Sequence, residues 1–158
     1  MGYECLLAGL PDIKAGGEAP MTIDALVALL EETLTERDLQ SLALLRTPSD
    51  APQVLEMVEH YDDTIIGQPT WWEDAREVLS EEDIRTQVLY EIGLKAKNRF
   101  VRSWFAYNQD MNNVMAATIC SKHGFDVRKA IVGHNQVADI LRKDLPQKDF
   151  GLTGVMDN

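Results

Sequence analysis

Residues 80–122 read SEEDIRTQVLYEIGLKAKNRFVRSWFAYNQDMNNVMAATICSK, and no proline interrupts them. Ser80-Glu81-Glu82-Asp83 is a strong helix start, because three acids sit where the macrodipole is positive. A run of this length is long for one globular helix. Gly93 is its weak point, followed by the basic Lys95-Ala96-Lys97-Asn98-Arg99, which predicts either a kink or two helices joined by a tight turn. Beyond it, Phe100, Trp104, Tyr107, Met111, Val114 and Thr118 step by four and three, the spacing of a bundle seam. Val101, Phe105, Met115 and Ile119 widen that seam and predict a helix buried over much of its circumference.

The flanks repeat the helical pattern. Thr22 reads as an N-cap ahead of Leu26, Leu29, Leu30 and Leu34. Thr35 caps a second helix with Asp38 in the capping-box position, and Leu39, Leu42, Ala43 and Leu45 form its stripe. Ser49 opens a third through Val54, Leu55 and Val58, and residues 62–72 read as a connector with Gly67 and Pro69. Gly124 stops the long helix, Asp126 caps a short one to Val132, and a last one runs from about Asn135 to Lys143. Tyr3 to Pro11 is either a short strand or a helical turn, since period alone cannot decide so short a run. The fold expected is all-α, a multi-helix bundle in one domain over residues 1–158. One long or kinked central helix, aromatic-rich over about 98–122, is expected with it.

The charge is uneven. Residues 1–80 hold 16 acids and 4 bases, whereas residues 81–158 hold 10 acids and 11 bases. A formal net charge of −11 argues against a general nucleic-acid binder. No apolar run approaches a membrane span, and no secretory signal is visible. Cys120 and His123 have the one metal-like spacing, but zinc would need two more ligands, with Cys5 and His134 the obvious supply. A small metal-dependent enzyme is kept only as a class to test. No nucleophile elbow, P-loop or dinucleotide fingerprint occurs, so neither catalysis nor a cofactor is expected.

One polar cluster stands out in the most apolar helix: Arg99, Arg102, Asn108, Asp110, Asn112 and Asn113. Asparagine is a mediocre helix former, so its repetition has a cost of ~0.5 kcal/mol each. Two readings stand beside each other: an interhelical hydrogen-bond network that sets packing register, or a polar surface that docks another protein of a complex. Arg99 and Arg102 are expected to pair with acids of the first half.

Three ordered stretches resemble an uncharacterised bacterial family encoded beside the components of V-type (archaeal-type) ATPases. They are Tyr3-x-Cys5-Leu6-Leu7-Ala8-Gly9-Leu10-Pro11-Asp12, then Asn98 to Phe105 with Asn112 to Ala117 and Ile131 to Ala138, then Lys148-Asp149-Phe150-Gly151-Leu152. Residues 13–90 add nothing distinctive. That family is similar to the all-helical, funnel-shaped component of V-type ATPases that couples the central stalk to the membrane ring. The funnel's Asp-x-x-Asn-hydrophobic pattern is matched by Asp110, Asn113 and Val114. Where arginines often follow, this chain has Ala116, Ala117 and Thr118. The resemblance implies a non-catalytic accessory or central-stalk subunit acting in ion transport. Its partners would be the stalk and the membrane ring. It would be cytoplasmic and peripheral to the inner membrane, and the N-terminal part of a longer protein. The alternative is a stand-alone helical adaptor unrelated to the ATPase.

Overall fold

The computed structural model describes residues 3–64 and 66–143. They form eight α-helices and one 3₁₀ turn, with no strand among the described residues. The all-α expectation holds. The opening segment is the helical alternative, α1 (Glu4–Gly9), so the short N-terminal strand is discarded. The Lys148–Leu152 tail lies outside the described residues. Two compact units divide the chain, residues 1–46 and 47–158.

In the first unit, α2 (Ile23–Thr33) and α3 (Glu36–Leu45) form a helical pair. The Thr22 hydroxyl accepts from Ala25 N at 3.1 Å, and Thr35 Oγ1 accepts from Asp38 N at 3.3 Å, satisfying first-turn donors as the sequence predicts. Arg46, just after α3, reaches Asp24 in the first turn of α2 at 4.0 Å; both are exposed, so the contact adds little. The Tyr3 hydroxyl donates to Asp38 and ties α1 to the start of α3. With the Thr35 hydroxyl, it holds the Asp38 carboxyl below the usual carboxylate range. Leu26, Leu30, Leu39 and Leu42 are only half-buried, and among the described residues of this unit Val27 alone is fully buried. Ala43, expected in the stripe, is exposed.

The second unit carries the core. Its helices are α4 (Pro52–Asp63), α5 (Trp72–Val78), α6 (Glu81–Leu94), α7 (Arg99–His123) and α8 (Gln136–Arg142), with a 3₁₀ turn at Val127–Lys129. Helix α4 starts at Pro52 behind Ala51, not at Ser49, because proline suits the first helical position, where no N–H partner is needed. It also runs on to Asp63. Helix α5 occupies residues to which the sequence reading assigns no element. Ser80 caps α6 as expected, accepting from Asp83 N at 3.2 Å. The turn after Asp126 is shorter than predicted, ending at Lys129.

The 80–122 run resolves into two helices. Gly93 does not mark the break. A Cβ there would sit 2.2 Å from Cγ of Phe105, so the glycine lets α6 and α7 approach closely. The chain turns just after Leu94, and Asn98 restarts it by accepting from Phe100 N (2.9 Å) and Val101 N (3.3 Å). Gly124 ends α7 at φ 72°, in the left-handed region that favours glycine.

Two apolar clusters form. One holds Ala51, Val54, Tyr61, Trp72, Ile84 and Val88 from α4 to α6. The other holds Ala117, Cys120, Val127, Ile131, Val137, Ala138 and Leu141 around the far end of α7. Arg76 lies over the Trp72 ring at 5.1 Å and bonds to Asp62 and Glu81 (2.6 Å to the latter), pinning α4, α5 and α6 at one corner.

Candidate functional site

The buried stripe of α7 is Val101, Phe105, Gln109, Asn113, Ala117 and Cys120. This corrects the predicted seam, which is displaced by about one residue. Phe100 is 66% exposed and Tyr107 61%, and Trp104, Met115 and Ile119 are also exposed. At 100° per residue, Phe100, Trp104, Tyr107, Met111 and Met115 share one side of the helix. Helix α7 therefore turns Val101, Phe105 and two amide side chains inward and Phe100, Trp104 and Tyr107 outward.

The inward amides have a shared object, the loop at residues 130–135. Asn113 is 1% exposed; its Nδ2 donates to Val132 O at 2.7 Å, and its Oδ1 accepts from Val132 N at 3.0 Å. Asp110 accepts from Asn135 Nδ2 at 2.6 Å, while Asn135 Oδ1 caps α8 by accepting from Ala138 N at 2.9 Å. Arg142 donates from Nη2 to Ile131 O at 3.3 Å and to Gly133 O. Gln87 of α6 accepts from Gly133 N at 3.1 Å through Oε1. A loop crossing apolar clusters must satisfy its backbone groups, and here side chains from three helices do so.

The remaining residues of the cluster take other places. Asn112 donates to the Tyr90 hydroxyl. Asn108 bonds only locally, donating to Trp104 O at 2.8 Å. Arg102 pairs with no acid among the described residues: its Nη1 donates to Ala96 O (2.6 Å) and Lys97 O (2.9 Å), closing the α6–α7 turn. Arg99 is exposed on the first turn of α7. Thus Asp110 and Asn113 meet at one loop, and the other four do not join them.

Gln87 and Gln109 belong to this region but are not singled out by the sequence reading, which considers His134 only as a possible zinc ligand. No pattern marks a lone glutamine as inward-facing; Gly133-His134-Asn135, next to the apolar Ile131-Val132, was the available signal. Because Gln87 Oε1 is committed to the Gly133 N–H, its Nε2 faces His134 Nε2, 3.0 Å away. The ring nitrogen must then accept, which makes His134 neutral with its proton on Nδ1. Partial burial lowers the His134 pKa, and nearby Arg142 lowers it further; Asp139, Glu91 and Asp74 oppose them. The ring also stacks on Trp71, 5.3 Å between centroids. A histidine held below its unfolded pKa contributes stability that is complete above about pH 6.5 and falls as pH drops from there toward the folded pKa. Thermal melts should therefore show a fall in Tm below pH 6.5 that is flatter in His134→Gln; equal slopes in both proteins would remove this assignment.

Cys120 is buried in the second cluster, and His123 stacks on Phe125. Among the described residues no three His, Cys, Asp or Glu side chains converge to hold a metal ion. None of their helices is long and apolar enough to cross a membrane.

Taken together, these residues define an all-helical protein whose inner polar groups secure a loop and whose longest helix presents an aromatic face. A family model described as "Protein of unknown function (DUF2764)" matches residues 69–158, more than half of the chain. The chain belongs to that family. No curated protein and no solved structure gives a significant match.

Proposed function

We propose that this protein is a non-catalytic accessory or central-stalk subunit of a V-type ATPase, docked through the outward face of α7. The observation that carries the reading is the exposed stripe of Phe100, Trp104, Tyr107 and Met115 on a helix fixed from behind by its buried stripe. Contiguous exposed apolar side chains mark interaction surfaces, and aromatic residues and methionine are the types enriched in them. Arg99 and Lys122, both exposed near the two ends of α7, supply a basic rim that steers an acidic partner. The three ordered stretches that resemble an ATPase-linked family name the partner class: the stalk and the membrane ring. In that role the protein is peripheral to the inner membrane on its cytoplasmic side, held by its partners.

Affinity capture of the intact protein from native membranes, followed by mass spectrometry, tests the reading. Wild-type protein should recover the catalytic and stalk proteins of a V-type ATPase at low salt and lose them at high salt. Tyr107→Glu should lose them at low salt too, with stability changed by less than about 0.5 kcal/mol, as for other exposed sites. Recovery of an unrelated partner without any ATPase component would make the protein a stand-alone adaptor.

A further inference from the structure

Between Phe100 and Ser121 the sequence of α7 holds two charged residues, Arg102 and Asp110, and neither is exposed. Both are bonded within the chain, Arg102 to the Ala96 and Lys97 carbonyls and Asp110 to Asn135. Two polar side chains of the helix turn back on their own backbone: Asn108 donates to Trp104 O at 2.8 Å and Thr118 to Val114 O at 2.7 Å. The large side chains left exposed are Phe100, Trp104, Tyr107, Met115 and Ile119, a strip about 28 Å long at 1.5 Å per residue. Exposed Arg99 and Lys122 stand at its two ends. Phe100, Trp104, Tyr107 and the half-buried Met111 step by four, three and four, which is a heptad seam turned away from the buried stripe of the same helix.

We propose that this strip is one half of a two-helix interface, filled by a single partner helix of about 20 residues that carries apolar side chains at heptad spacing and an acid opposite each of Arg99 and Lys122. The inference rests on the docking reading above and names the shape and chemistry of what docks. Side chains spaced by three and four form ridges that accept the ridges of a second helix, and a partner in any other conformation cannot stay in step with them. Charge selects among helices. A second copy of this chain is disfavoured, since antiparallel pairing of α7 with itself brings Arg99 against Lys122 and parallel pairing brings Arg99 against Arg99. A membrane surface is disfavoured too, because lipid-binding helices carry about four to eight cations and this face carries two. An acidic helix meets both ends with attraction, and residues 81–158, at 10 acids and 11 bases, do not repel it.

The test places a photo-reactive amino acid singly at Phe100, Trp104, Met115 and Ile119 of the full chain in its native cell, and maps the cross-linked partner residues by mass spectrometry. All four products should fall in one segment of one protein, spread over about 19 residues as the sites are on α7; an extended segment would cover the same length in about nine. Arg99→Glu combined with Lys122→Glu, both at exposed positions, should keep the fold and lower the yield about tenfold at low salt. Products at extended spacing, in several segments, in lipid or in a second copy of this chain would overturn the proposal. So would no product at any of the four sites, or an undiminished yield after the charge reversal. The two readings fail separately. Helical spacing on a protein outside the V-type ATPase keeps this inference and ends the subunit reading, whereas scattered products on ATPase proteins keep the subunit reading and end this inference.

Discussion

Replacing Asn113 by leucine should cause one of the two largest losses of stability available from a single side chain in the second unit. Leucine keeps the branched four-atom skeleton of the side chain but is bulkier, so an overpacking cost adds to the loss of the hydrogen bonds. The substitution removes both partners of the Val132 backbone, whose N–H and C=O are buried 19 residues away in sequence. Leaving such groups unpaired costs about 1–3 kcal/mol each. A fall in Tm of about 10 °C or more follows, with the amides of residues 130–135 exchanging fastest. The comparison that makes this specific is Asn108→Ala, on the same helix. Asn108 bonds only to its own turn, and alanine is the better helix former, so that change should stay within about 0.5 kcal/mol. Equal losses at both positions would mean that helix propensity, and not the clamp on Val132, sets the effect.

The second large effect is expected at Gly93. Two terms oppose each other in Gly93→Ala. Alanine gains up to about 1 kcal/mol in a helix interior. Against this, the new methyl would lie 2.2–2.5 Å from three atoms of the Phe105 ring. That ring is itself buried, edge-on to Tyr90 at 6.2 Å and to Trp104 at 5.2 Å between centroids, so it has little room to yield. Overpacking of this kind costs about 1–3 kcal/mol, which outweighs the propensity gain. Gly93→Val, larger and β-branched, should cost more still. A double-mutant cycle with Phe105→Leu separates the causes: the pair should lose less than the two single changes added together. Strict additivity would place the damage elsewhere than at this contact.

How far the fold could be read from the chain divides along a physical line. Caps are local chemistry, and Thr22, Thr35, Ser80 and Gly124 act as their residue types predict. The direction in which α7 faces is not local. Its aromatic residues carry the strongest apolar signal, so period and size together placed them inside. The true inner stripe includes Gln109 and Asn113, and Asn113 is inside because it bonds to a loop about twenty residues onward. Nothing in the composition of α7 announces that loop. Helix α5 was missed for a related reason: seven residues behind Pro69 are too short for a periodic signal, and Trp72 owes its burial to Tyr61, Ile84 and their neighbours. Of the six polar residues singled out by sequence, Asp110 and Asn113 bond to the loop, and Asn112 reaches Tyr90. Arg102 turned to the backbone because its carbonyl partners lie five and six residues away, closer in the chain than any acid of the first half.

The outward face of α7 is the central claim, and position 107 tests it most directly. A photo-reactive amino acid at Tyr107 in the full-length protein, expressed in its native cell, should cross-link to a component of the V-type ATPase on illumination. The same group at Glu59, exposed on α4, should give no such product. Cross-linking at neither position, or to the same product from both, would contradict the account.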